Sequence, residues 1–289
     1  MKKTKIMLAL LAPMMLASCG GSSGGGSVEF DYIHLQNNNT GFTTSDGDTA
    51  IAIGLKKNSA LTTQINDYLN TLNADYWDSL MNKMAALTND SKATYEIEYT
   101  VGDNSNGVFK VGMECAYEPY NWTQNNNKNG AVSIANVPGK YANGYDVQIA
   151  AQVAAALNMK LEVYQYEWDA LIPAVQSGTL TAICAGMSPT DDRKEAIDFS
   201  ANYYQSNLVV ITQKDSELLA CTSLADIDKA GVKIAAQPGT FHLDALQKQT
   251  KNLTVISNLN DFVNMRIALE AGTIDGYIAE EPTALALCN

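Results

Sequence analysis

In AICAGMSPTDDRKEAIDFS, Ala182 to Ser200, a short apolar run (Ile183, Cys184, Ala185) reaches Gly186. Ser188, Thr190 and Asp191 then supply helix-start chemistry just ahead of Arg193. Unpaired backbone N–H groups at a helix start favour negative charge, and an arginine one turn in offers a planar fork that matches a carboxylate. The stretch reads as a strand ending in an anion site. Its plain alternative is an arginine that only pairs with a neighbouring aspartate or sits in water. Acids of the opposite use stand at Glu280 and Glu281, after another apolar run, where a carboxylate could receive an ammonium. Other chemistries find little support. Cys115, Cys184, Cys221 and Cys288 match no zinc spacing, His34 and His242 form no metal-binding pair, and no metal or cofactor is expected. GMSPT carries Thr190 where G-x-S-x-G needs its last glycine, no motif places a histidine to activate Ser188, and there is no G-x-G-x-x-G or P-loop.

A chain of 289 residues, 46% hydrophobic and 17% charged, is globular and long enough for two core-bearing units. The net charge of -12, without a basic run or a basic, aromatic-rich strand, argues against nucleic-acid binding through phosphates. The partner expected is small or proteinaceous.

The elements that must position these residues follow a regular alternation from Val108 onward. Val108 to Cys115 reads as a strand, Asp146 as the cap of a helix with Ile149, Val153 and Leu157 on its buried face, and Lys160 to Tyr166 as a strand. Trp168 to Gln176 reads as a helix ended by Gly178, and Leu180 to Ala185 as a strand. After the β-type run Asn207 to Gln213 a second alternation begins: strand Val232 to Ala236, loop and helix Gly239 to Lys248, strand Leu253 to Ile256, helix Leu259 to Ala271, strand Ile274 to Ala279 and a helical end from Pro282 to Leu287. Single helices between strands imply mainly parallel sheets, hence an α/β fold of two similar lobes. Ligands bind outside the carboxyl ends of such strands. There the first lobe places Tyr117, Pro119, Tyr120 and Trp122, then Trp168, then Gly186, Ser188 and Arg193. The second lobe places Gln237, Gly239 and Thr240 after its first strand, and Glu280 and Glu281 after its third.

The front of the chain is different. Val28 to Leu35 alternates like a strand, Asn37 to Asp48 is turn-rich, and Thr49 to Leu55 is a β-type run. Leu61, Ile65, Tyr68, Leu69 and Leu72 then share one helical face, and Trp77, Leu80, Met81 and Met84 form the stripe of a second helical segment, Tyr76 to Leu87. Thr88 to Gly107 is a connector that holds at most a short strand at Tyr95 to Val101. Ahead of all this, residues 1–19 read as an export signal, with a basic head (Lys2, Lys3, Lys5), an apolar segment from Ile6 to Leu16, and a closing Leu16-Ala17-Ser18-Cys19. That ending is similar to the lipobox of bacterial lipoproteins, which implies that Cys19 becomes the lipidated first residue. GGSSGGGS over 20–27 is a flexible tether. Of the 19 basic residues, 16 remain without the three signal lysines and face 31 acidic ones, so the mature domain carries about -15 and is not drawn to anionic lipid. Its anchor to the cell membrane is covalent and its location extracytoplasmic. There the four remaining cysteines could form disulfides, although Cys115 and Cys184, in strand-like runs, read equally well as small buried apolar side chains.

ECAYEPYNW, GYDVQIAAQVAAALN, WDALIPAVQSG, AGMSPTDDRKEAIDFSANYY and GTIDGYIAEEPTA, in this order between Val108 and Leu287, resemble the successive motifs of the amino-acid-binding proteins of bacterial ABC importers. These are extracellular solute-binding proteins of the type II periplasmic-binding fold. The resemblance implies two lobes joined by two crossing strands, a free L-amino acid as ligand, an ABC-transporter permease as partner, a monomer, and no enzyme activity. It implies that Arg193 clamps the ligand's α-carboxylate, helped by the Ser188 side chain and by the Thr240 N–H and hydroxyl from the opposite lobe. Glu280, or failing it Glu281, receives the α-ammonium with the Gly186 carbonyl. Tyr117 and Trp168 sandwich the aliphatic part, Glu114 faces the side-chain end and suits a polar or basic group, and Trp122 belongs to the aromatic entrance. Plainer readings stay open: Trp168 as a core aromatic, Glu114 as a solvated or cross-strand-paired acid, Trp122 and Tyr120 as the edge of a loop.

The departure from the family is informative. Its strand returning to the first lobe, with the closing helices, is missing after Glu281, and GDTAIAIGLKKNSALTTQINDYLNTL stands at the front instead. The expected order is therefore circularly permuted, the old ends joined through Thr88 to Gly107. Lobe 1 is expected over 49–206, including the connector 88–107, and lobe 2 over 28–48 and 207–289, with hinges at Ser206 to Leu208 and Gly47 to Thr49. Some relatives of this fold act as small dehydratases, which keeps a dehydratase-like enzyme as one alternative, and a ligand-sensing module is the other.

Overall fold

The computed structural model describes residues 28–35 and 40–288. The expected signal with Cys19, the tether, part of the turn-rich segment and Asn289 lie outside the described residues. Strand β1 (Phe30–His34) leads through α1 (Asp46–Thr49) to β2 (Ala50–Leu55), every residue of which is buried. Two helices follow, α2 (Leu61–Leu69) and α3 (Ala74–Asn89). The Asn73 side chain accepts the Tyr76 N–H and so starts α3, which buries Leu80, Met81 and Met84 on one stripe. The short strand expected at Tyr95 to Val101 does not form: Tyr95 is buried, but Ile97 and Val101 face solvent and no neighbouring strand offers a ladder.

From β3 (Val108–Met113) the chain makes a small antiparallel sheet that the sequence pattern had not suggested, with β4 (Ala116–Tyr117), β5 (Asn121–Gln124), β6 (Val132–Ser133) and β7 (Tyr141–Asn143) in the order β4-β5-β7-β6. Helix α4 (Tyr145–Ala156) is buried nearly all round rather than on one face, because α2 and α3 cover the side turned away from the sheet. Its N-cap is Gly144, not Asp146. At φ 126 a side chain there would meet the Tyr120 carbonyl oxygen at 2.4 Å, and Asp146 lies buried in the first turn instead. Then come β8 (Lys160–Gln165), α5 (Trp168–Ser177), ended by the left-handed Gly178, β9 (Ala182–Ile183) and α6 (Asp191–Ala196). A strand not foreseen, β10 (Asp198–Gln205), runs straight into β11 (Leu208–Gln213). The chain closes with α7 (Leu224–Ile227), β12 (Lys233–Ala235), α8 (Phe241–Gln249), β13 (Thr254–Ile256), α9 (Phe262–Glu270), β14 (Gly276–Glu280) and α10 (Glu281–Leu287).

Two five-stranded sheets result, β10-β2-β9-β3-β8 and β1-β11-β14-β12-β13. The ladders that adjoin helix crossovers are parallel, namely β9/β3, β3/β8, β14/β12 and β12/β13. Those made by β10, β2, β11 and β1, through which the chain passes between sheets, are antiparallel. The front segment is thus shared out. Strand β2 sits inside the first sheet, α2 packs on β10 and α4, and β1 extends the second sheet beside α10. The two passages are tied together by the Ser206 N–H, which donates to the Thr49 carbonyl at 2.9 Å. Cys115, Cys184, Cys221 and Cys288 are free thiols.

Candidate functional site

Glu114 and Cys115 follow β3, and the chain turns there with Cys115 in the left-handed conformation (φ 58). Asn121 holds this turn: its Oδ1 accepts the Cys115 N–H and its Nδ2 donates to Asp146, both at 2.8 Å. Asp146 also accepts the Tyr203 hydroxyl at 2.5 Å and the Gly186 backbone N–H, so one buried carboxyl fastens the turns after β3 and β9 together. Gly186 has φ 61, and a Cβ there would come within 3.0 Å of the Tyr117 ring. In the second sheet the Thr240 hydroxyl donates to the Gln237 carbonyl at 2.7 Å and caps α8, while Glu280 ends β14.

Glu114, Tyr117, Trp168, Gly186, Ser188 and Arg193 meet Thr240 and Glu280 around one narrow cavity between the two sheets. Trp122 does not reach it. It is buried in the small sheet, where β5 pairs with Ala116 and Asn143, so it is neither a cavity wall nor a loop edge. Tyr120 is likewise fully buried. Glu281 turns away, accepting from Asn207 Nδ2 at 3.0 Å, so of these two acids Glu280 is the one that faces the cavity.

Arg193 makes no ion pair among the described residues; the neighbouring Asp191 goes to Lys194. Its Nη1 donates to the Ser188 carbonyl at 2.9 Å, its Nη2 crosses to the Gly239 carbonyl at 3.2 Å, and the guanidinium lies 5.0 Å from the centre of the Trp168 ring. Trp168 Nε1 donates to the same Gly239 carbonyl at 3.0 Å. Burial lowers the Arg193 pKa to about 10, so it stays charged at neutral pH. Glu114 is cross-paired rather than free: Gln237 Nε2 donates to its Oε1 at 2.6 Å. Burial raises its pKa to about 8 against that hydrogen bond, with Asp261, Glu167 and Asp169 adding repulsion. The expected sandwich of Tyr117 and Trp168 is altered, because Phe262 stacks on Tyr117 (centroids 3.9 Å apart, 12° between planes) and Tyr120 lies against it at 4.8 Å. Phe262, Gln237 and His242 also line the cavity, with Ala185 and Phe241. Phe262 starts the helix after β13, so it lies beyond a strand end that faces the cleft, and that placement is its signal in the sequence. No spacing pointed to His242.

Glu280 is raised to about 8 by burial, and its neighbour His242 is lowered to about 3, first by burial and then by Arg193. Between about pH 6.5 and pH 8 the folded chain holds protons on Glu114 and Glu280 that the unfolded chain releases above about 4.5, while His242, neutral in the fold, binds at most about half a proton in the unfolded chain, at the low end of that window. The unfolded state binds fewer protons in that window, so stability falls as pH rises through it. The melting temperature is expected to be lower at pH 8 than at pH 6.5. Glu280→Gln, neutral throughout, should flatten the decline and raise the melting temperature at pH 8; an unchanged slope in the variant would show that Glu280 is ionised in the fold.

A family model described as bacterial extracellular solute-binding proteins, family 3, matches residues 109–268. A probable histidine-binding protein of Campylobacter jejuni is 29% identical over 181 residues, 63% of this chain and 63% of the relative. The chain thus spans under two thirds of that protein's length. Among solved structures, the substrate-binding protein of an amino acid ABC transporter is 30% identical with a TM-score of 0.52, covering 62% of this chain and 73% of that one. An ancestral amino acid-binding protein, described as a precursor of cyclohexadienyl dehydratase, is 26% identical with a TM-score of 0.54, covering 61% and 71%.

Proposed function

Because this chain belongs to the bacterial extracellular solute-binding proteins, family 3, with their type II periplasmic-binding fold, we propose that it is a receptor for a free L-amino acid that delivers its ligand to an ABC-transporter permease. The observation that carries this is the convergence of a cation and an acid on one cavity. Among the described residues the Arg193 guanidinium, from the first lobe, closes no ion pair with a carboxylate, and the Glu280 carboxyl, from the second, meets no lysine or arginine, only the neutral His242. A zwitterion supplies both partners. Arg193 takes the α-carboxylate with Ser188 and Thr240, and Glu280 takes the α-ammonium with the Gly186 carbonyl. Because the two ends touch different sheets, ligand favours the closed arrangement over the open one, and closure is what the permease reads. The chain crosses between the sheets at Gly47 to Thr49 and at Ser206 to Leu208, and these are the hinges. In this account the two lobes are residues 49–206 and 28–48 with 207–289.

Specificity is set at Glu114. Beyond it opens a recess of about 440 Å³ lined by Gln165, Tyr166, Glu167 and Asp261, with no basic residue. A polar or cationic side chain suits that end. The protein works as a monomer, held at the outer face of the cell membrane by a lipid on Cys19, and the front segment is the displaced end of a circularly permuted relative. Thermal-shift screening of the twenty amino acids is expected to show stabilisation by Lys, Arg or Gln and little by Asp or Glu. A preference for acidic ligands would overturn the role of Glu114 and leave the amino-acid site standing. Product formation on incubation with the bound amino acid would point instead to the dehydratase branch of the fold.

A further inference from the structure

His242 stands two residues past the Thr240 cap, on the first turn of α8, and is 4% exposed. Its Nε2 lies 3.3 Å from Oε1 of Glu280, which is 1% exposed. Yet neither ring nitrogen completes a hydrogen bond among the described residues, and Glu280 Oε2 has no partner either. Both side chains line the cavity that also holds Gly186 and Arg193. A buried polar atom left unsatisfied is costly, so orphaned atoms gathered at one cavity call for a partner from outside the chain.

The chemistry of that partner can be counted. A primary ammonium carries three N–H donors and no acceptor, so full recognition takes three acceptors. Glu280 offers Oε2, and a backbone carbonyl such as that of Gly186 offers a second. A neutral imidazole offers the third through whichever nitrogen bears no proton. We propose that His242 contacts the ligand directly, its unprotonated ring nitrogen accepting one N–H of the α-ammonium beside the Glu280 carboxylate. This rests on the amino-acid site described above and adds a residue to it. An imidazole serves as acceptor only while uncharged, and its setting keeps it so. It is buried, the Arg193 charge opposes protonation, and it lies at the positive end of the α8 dipole. A lysine or arginine at this position would repel the ammonium instead.

The test compares each amino acid with the same molecule lacking its α-amine. Kd is measured by titration calorimetry for L-lysine beside ε-aminocaproate and for L-glutamine beside glutaramate, on wild type, His242→Leu and His242→Gln. His242→Leu is expected to weaken the amino acids about tenfold or more and the des-amino acids less than threefold, since only the amino acids lose an acceptor. His242→Gln, whose amide oxygen can accept the same N–H, should restore most of the affinity. Equal losses on both kinds of probe, or none on either, would overturn the contact. Should His242→Leu fail to melt cooperatively, wild type decides through Nα-methyl-lysine: it should bind at least tenfold more weakly than L-lysine, and equal binding overturns the proposal. Wild type that binds neither L-lysine nor L-glutamine overturns the polar-or-basic amino-acid reading itself, before any variant is compared.

Discussion

Replacing Arg193 with alanine is expected to weaken amino-acid binding by about 2–5 kcal/mol, roughly thirty-fold to several thousand-fold in Kd. The guanidinium is already held in place without a direct ion pair among the described residues, fixed by the Ser188 and Gly239 carbonyls and by the Trp168 ring. Little ordering remains to be done when a carboxylate arrives, so most of the charge-assisted bonding goes into affinity. Alanine removes the charge and also the contact with Gly239 across the two sheets, so closure should weaken along with recognition. Calorimetric titration with the amino acid found by thermal shift measures the change. A loss under threefold would place the anion site elsewhere.

The second large effect concerns the front of the chain. Deleting residues 28–87 leaves every proposed ligand contact from Glu114 to Glu280 in the sequence, yet the product is expected to be insoluble or unfolded. Strand β2 lies between β10 and β9, so its loss splits the first sheet and exposes two unpaired edges. The helices α2 and α3 cover α4, whose nearly all-round buried surface would then face water on that side. At about 25 cal/mol per Å² of apolar surface, even a few hundred Å² lost from each sheet rivals a usual total stability of about 5–15 kcal/mol. Circular dichroism melting of the purified fragment checks this. A cooperative transition with undiminished amino-acid affinity would make the front segment an independent appendage and end the permuted account.

What could be read from the sequence follows the physics of each signal. Helices with a clear apolar stripe, such as α2 and α3, and buried strands such as β2 and β11 announce themselves through periodicity. Arg193, Ser188, Thr240 and Glu280 were legible because their chemistry is tied to strand ends. The small sheet was not, since its strands run two to four residues and carry no period. Strand β10 hid for another reason. DFSANYYQ mixes polar and aromatic residues, and its register with β2 shifts on either side of Asn202, so no alternation survives. Asp146 looked like a helix cap because carboxylates usually are; the glycine two residues earlier took that role for want of space beside Tyr120. His242 reaches the cavity through tertiary packing, which no local pattern encodes.

The pairing of β1 with β11 sets a timetable for the nascent polypeptide. Phe30 finds its neighbour only at Gln213, and the sheet they share stays incomplete until Glu280 has been made. Strand β2 waits for β9 and β10, so the first sheet can close as soon as Gln205 emerges, while β1 trails behind as an unpaired edge. Such long sequence separations slow folding. The first described strand thus stays without its ladder until the chain has been made through Gln213, and the sheet it belongs to gains its remaining strands only after that.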